Sequence, residues 1–126
     1  MKWLIDYLPQ EAVVRVTTSG VMRPEDNKAF ILDALAAGKA HGATRFLVDH
    51  RDMTTALSIE EVFDLPTVIA GLGVQRKQRA AIVYRADSAS REDFFFYDAR
   101  NMSVGIRNVR LFTDPQNALD WLAETD

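Results

Sequence analysis

Thr44-Arg45-Phe46-Leu47-Val48-Asp49-His50-Arg51-Asp52 decides the fold. Three apolar residues in succession mark a strand covered on both faces, and four ionisable residues follow at once. Such a strand belongs at the centre of a sheet. Its C-terminal end carries the densest group of ionisable side chains in the chain, and in open α/β sheets ligands and partners bind at that end. Function is therefore sought there first, although these residues specify a fold and a working edge and no reaction.

On the N-terminal side, Trp3, Ile5 and Tyr7 alternate with Lys2, Leu4, Asp6 and Leu8, and Pro9-Gln10 ends the run. From Ala12 to Thr18 the alternation resumes, Val14 and Val16 on one face and Val13, Arg15 and Thr17 on the other, which predicts an antiparallel hairpin closed at Ser19-Gly20. Pro24, Glu25 and Asp26 suit the first turn of a helix reaching about Ala40. Phe30, Ile31, Ala34, Leu35 and Gly38 form its apolar stripe, with Asn27, Lys28 and Asp33 outside it. Gly38 and Gly42 allow close packing or a C-terminal cap.

Beyond the central strand, Met53 to Leu57 reads as a loop, and Ser58 with Glu61 has the spacing of a capping box that opens a second helix. Ile59, Val62, Phe63, Pro66, Ile69 and Ala70 follow one face of that helix, Pro66 is predicted to kink or split it, and Gly71 and Gly73 end it. Arg79 to Tyr84 is a strand apolar on both faces, and Arg91 to Met102 a third helix. Arg107 to Phe112 is the last strand, and Asp114-Pro115 starts a final helix holding Ala118, Leu119, Trp121 and Leu122. The order β-β-α-β-α-β-α-β-α predicts an α/β fold: a sheet of about five strands, mostly parallel, with an antiparallel N-terminal strand.

The 126 residues fit one domain. With no cysteine there are no disulfides, thiol nucleophiles or thiolate metal sites. A net charge of −3, from 18 acidic and 15 basic residues, gives no pull toward nucleic acid. The apolar runs fall far short of the roughly 20 residues needed to span a bilayer, and the N-terminus lacks a basic start with an apolar stretch behind it. A soluble, cytoplasmic protein is expected.

The opening hairpin ending at Gly20, the strand Phe46-Leu47-Val48-Asp49 and the strand Ala80-Ala81-Ile82-Val83-Tyr84 resemble the STAS-like, or SpoIIAA-like, superfamily. So does the ending Val109-Arg110-Leu111-Phe112-Thr113-Asp114 with Ala118-Leu119-Asp120-Trp121-Leu122, similar to a phrase of small stand-alone members. The superfamily's phosphorylatable serine lies in an Asp-Ser-Ser-Gly or similar turn after the central strand. This chain has Met53-Thr54-Thr55-Ala56-Leu57-Ser58 there, without the aspartate or the glycine, and Ser58 reads as a helix cap. The resemblance implies a non-enzymatic regulatory or protein-interaction module, binding another protein or itself. Its edge would comprise Asp49, Arg51, Asp52, Thr54, Thr55 and Ser58.

Asp49, His50 and Asp52 have the chemistry of metal ligands or of a base with its orienting carboxylate. Adjacent strand residues point to opposite faces, however, so Asp49 and His50 do not converge, and neither a metal nor acid-base catalysis is expected. Asp49 is expected to accept loop N–H groups, leaving Arg51 free to pair with a carboxylate or an anionic partner. No nucleophile motif or phosphate loop is present, since Gly71-Leu72-Gly73 follows a helix, and neither enzymatic activity nor a cofactor is expected.

Phe94-Phe95-Phe96-Tyr97 advances about 100° per residue on a helix, so the four rings cannot share one core. At least one should point away from the sheet. If that helix lay between the sheet and the final helix with Trp121, three rings would be buried and Tyr97 left at the rim. A proline-broken second helix able to move gives the alternative function, binding of a small apolar or lipid-like ligand under the helices. The pocket would involve Phe63, Pro66, Ile69, Phe94, Phe95 and Tyr97. The similarity of STAS-like domains to CRAL-TRIO lipid carriers points the same way by analogy.

Overall fold

Two buried faces are written into the middle strands, and the sheet is built around them. The computed structural model describes residues 1–125. Strand β2 (Val13–Met22) buries Val14 and Val16 on one side and Val13 on the other. Strand β3 (Arg45–Thr55) does the same with Phe46 and Val48 against Leu47. Strand β1 (Lys2–Leu8) pairs antiparallel with β2, while β4 (Arg79–Val83) and β5 (Val109–Phe112) extend the sheet in parallel, in the order β1-β2-β3-β4-β5.

Each parallel connection moves one strand in the same direction, so right-handed crossovers put all three connecting helices on one face. These are α1 (Pro24–His41), α2 (Ile59–Gly71) and α3 (Arg91–Ser103). Phe30 and Ala34 of α1 and Phe94 of α3 join Val14, Val16, Phe46 and Val48 in the larger core. The last helix, α4 (Pro115–Ala123), has no further strand to reach and folds onto the opposite face. There Ala118, Trp121 and Leu122 cover Val13, Leu47, Ala81 and Val83. The arrangement with α3 between the sheet and Trp121 does not occur. Tyr97 is buried, and Phe95, 57% exposed, is the aromatic left outside.

The structure departs from the sequence reading in several details. Met53 to Thr55 is strand rather than loop, because Gly20 to Met22 continues β2 alongside it and Ala56 N donates to Met22 O at 2.8 Å. Each half of that pairing looks like loop alone; only together do they form a ladder. Helix α2 is continuous through Pro66, which neither ends nor divides it. Strand β5 begins at Val109 rather than Arg107.

The β2–β3 ladder also contains a bulge. Thr17 pairs with Asp49 and Ser19 with Asp52, so Thr18 alone faces both His50 and Arg51. The extra residue reverses the alternation beyond it. Met53 turns into the core and Thr55 toward the helices, while Asp52 and Thr54 face solvent.

Gly38 sets how closely α1 approaches the sheet. A Cβ at this position would lie 2.7 Å from the Phe46 ring and 3.0 Å from Ala43 O. Gly38→Ala gains about 1 kcal/mol of helix propensity but overpacks against a ring held on all sides, a penalty of roughly 1–3 kcal/mol. The substitution is expected to lower the urea midpoint with an unchanged slope; an increase would show that α1 moves freely over Phe46.

Candidate functional site

Helix α2 starts where its capping box requires, with Ser58 Oγ accepting from Glu61 N at 3.1 Å and Ser58 N donating to Glu61 Oε1 at 2.8 Å. From there it rests on α3 and on the edge of α1 rather than on the strands. Arg100 of α3 fastens it, its guanidinium 3.8 Å from the Phe63 ring centroid and its Nε donating to Phe63 O at 3.1 Å. A helix held off the sheet in this way leaves space beneath.

That space is a cavity of about 110 Å³ bounded by Phe30 and Ala34 of α1, Val48 and Ile82 of the sheet, Val62 and Ile69 of α2, and Phe94 and Tyr97 of α3. A second hollow of about 170 Å³ adjoins it between α2, α3 and β5, sharing Ile69, Val74, Tyr97, Asn108 and Val109. Burial pushes the Tyr97 phenol up, which keeps the ring neutral. Asn101 is buried at this second hollow, its amide beside the Tyr97 phenol and without another partner among the described residues.

The first cavity has a polar end at the tip of β3. His50, 5% exposed, stands perpendicular to Phe30 at 5.4 Å and tilted against Phe94 at 6.1 Å. Its Nδ1 lies 2.7 Å from Thr18 Oγ1, which donates to Asp49 O at 3.1 Å. Burial pulls the His50 pKa down to about 4, against a smaller opposing pull from Asp49, so the imidazole is neutral at pH 7. Asn27 also borders the cavity, one helical turn before Phe30, and its Nδ2 has no partner among the described residues. Thr55 Oγ1 donates to the Asp93 carboxylate and Thr55 N to Ser90 Oγ at 3.0 Å, tying the end of β3 to the start of α3.

The residues proposed from sequence are divided between surfaces. Ile69, Phe94 and Tyr97 line the first cavity and Pro66 the second. Phe63 and Phe95 line neither: Phe63 lies under Arg100, and Phe95 packs edge-on against Tyr84 at 6.1 Å. Asp49, Arg51, Asp52 and Thr54 lie away from the cavity, Thr55 borders it, and Ser58 is occupied as a cap. Arg51 is not free, since its Nε and Nη2 reach Asp49 at 2.9 and 2.8 Å. Burial works to raise the Asp49 carboxyl, but these bonds and the one from Arg51 N outweigh it and hold the group below the usual carboxylate range. Arg85 joins Asp52 at 3.2 Å and donates to Arg51 O at 2.9 Å, closing a charged edge.

Asn27 and His50 are the cavity groups that the sequence reading missed. Asn27 was placed outside the apolar stripe, yet it precedes Phe30 by three residues and Ala34 by seven, the spacing of one helix face. His50 reads from sequence as a partner of Asp49 and Asp52, yet Asp49 occupies the other face of the strand and the bulge turns Asp52 to solvent.

Among the described residues no group of three or more histidine, cysteine, aspartate or glutamate side chains is placed to hold a metal ion, and no helix is long and apolar enough to cross a membrane. No protein-family model matches the chain, and no curated protein is significantly similar to it.

His50 makes stability depend on pH. The unfolded chain takes up a proton near pH 6.5, the folded one only near pH 4, so between these values the unfolded state holds more protons. Stability is complete above about pH 6.5 and falls toward pH 4, by on the order of 3 kcal/mol. Urea unfolding at several pH values is expected to show this loss in the native chain and a smaller one in His50→Gln; equal slopes would place the titration elsewhere.

Proposed function

We propose that this protein binds a small apolar ligand in the cavity beneath α2. One observation carries the reading: a largely apolar space lies between α2 and the sheet, flanked by α1 and α3, and bordered by the Asn27 amide and a neutral His50. Interiors pack to the density of organic crystals, so a void of this size in a small domain forfeits contacts that a ligand restores. The element order and the strand and helix phrases described above support assigning the chain to the STAS-like superfamily. In that setting it acts as a non-enzymatic module whose ligand biases the position of α2.

A second reading, a surface for a protein partner or a second copy, is favoured by the edge where Asp52 and Arg85 pair at 3.2 Å with side chains 67% and 57% exposed. Pairs this exposed add little to stability and remain available for contacts.

Native mass spectrometry of the purified protein distinguishes the two. The expected result is added mass that denaturation releases as an apolar compound, together with uptake of an apolar dye by protein stripped of it. Ile69→Trp, which fills the space shared by the two hollows, is expected to reduce retention at least about tenfold while far-ultraviolet circular dichroism stays native. A clean mass with no dye uptake overturns the ligand-binding reading and makes the Asp52–Arg85 edge the working surface.

A further inference from the structure

The polar end of the cavity has a hydrogen-bonding signature of its own. Asn27 Nδ2 is a buried donor without a partner among the described residues, and an orphaned amide in an apolar interior is a standing cost. His50, which borders the same cavity, supplies the complement, as its hydrogen bonds show. Thr18 Oγ1 lies within bonding distance of both Asp49 O and His50 Nδ1, but a hydroxyl has one proton. Asp49 O can only accept. Both bonds therefore form together only when Thr18 donates to Asp49 O and receives the Nδ1 proton of His50. That tautomer leaves a lone pair on Nε2, which no described group engages.

Donor and acceptor thus border one apolar space: Asn27 lies one turn before Phe30, whose ring packs against His50. We propose that they recognise a hydroxyl group, and that the ligand is a neutral, phenol-sized apolar alcohol whose oxygen accepts from Asn27 Nδ2 and whose proton goes to His50 Nε2. This inference rests on the ligand-binding reading above and narrows it. An anion fits poorly: a carboxylate would set its lone pairs against that of Nε2. The ionisable neighbours offer no rescue, since Asp93 is acidic and the Arg79 guanidinium is turned to Trp121 O and Glu124 O at the end of α4. A bare hydrocarbon fills the apolar space and leaves Asn27 unpaired. The cavity, about 110 Å³, is of the order of those that admit a single aromatic ring.

The test compares three probes of similar size against the full chain by amide chemical-shift titration: para-cresol, toluene and benzoate. Cresol is expected to bind about tenfold tighter than toluene, the worth of the paired hydrogen bonds, and benzoate not measurably. Asn27→Leu is expected to bring the cresol and toluene dissociation constants together, and His50→Phe to do the same. Equal affinities in the native chain would mean that water satisfies Asn27 and His50, and would overturn the inference while toluene binding upheld the wider reading. Benzoate binding as tightly as cresol would overturn it in favour of the other tautomer. If none of the probes binds, both this inference and the ligand-binding reading fall. The native chain's own selectivity decides the matter even if a variant fails to fold.

Discussion

One extra residue in β3 governs the working end of this protein. Between Asp49 and Asp52 the strand spends two residues where β2 spends one, and Thr18 opposite them becomes the hinge of the arrangement. Without the bulge, strict alternation from Phe46 and Val48 through His50 would point Asp52 and Thr54 into the core and Met53 and Thr55 into solvent. With it, Met53 is buried, Thr55 reaches Asp93 and Ser90 on α3, and Asp52 is released to pair with Arg85. The same irregularity leaves the Thr18 hydroxyl between Asp49 O and the His50 ring. Strand irregularity, ring tautomer and division of charge between the two faces follow from a single insertion.

The fold was legible because its decisive signals are short and local. Phe46-Leu47-Val48 and Ala80-Ala81-Ile82-Val83 are apolar on both sides and so belong inside a covered sheet. Ser58 with Glu61 and Asp114 with Pro115 mark helix starts through bonds that the structure contains, including Asp114 Oδ1 accepting from Gln116 N at 2.9 Å. What was not legible depends on partners distant in sequence. A period-two reading cannot register a bulge, since the added residue has meaning only against the strand beside it. Nor does sequence state which face α4 takes, and that choice separates Trp121 from α3 and decides which ring of Phe94 to Tyr97 is left outside. Of the proposed site, Ile69 is legible from apolar helix periodicity, and Phe94 and Tyr97 from an aromatic run too long for one helix face. Asn27 was lost because a polar residue on an apolar stripe looks like the stripe's border.

The two buried asparagines make the division of labour among the helices intelligible. Asn27 and Asn101 sit at the two hollows beneath α2; Asn27 Nδ2 has no partner among the described residues, and Asn101 has none beyond the Tyr97 phenol. Buried polar groups ordinarily find partners, because each one left alone costs about 1–3 kcal/mol. Such positions are tolerable only if the rest of the domain supplies stability, and here two sets of contacts do so: the core of β2 and β3 with α1 and α3, and the separate layer under α4. Helix α2 contributes little to either and bears the consequences of the space below it.

That position also sets how firmly α2 is held. Regions that move are those with few buried contacts of their own, and α2 is held by its flanks rather than by its underside. Its firmest attachment is Arg100, which stacks on the Phe63 ring and donates to the Phe63 carbonyl one turn before Pro66. Pro66 removes the N–H that would have closed on Val62 O, so the helix is weakest where its buried face crosses the cavity. With a clasp on the outer side and a missing hydrogen bond in the middle, α2 is the least firmly seated of the helices that border the cavity, while the sheet and its buried histidine are held by a core to which it adds little.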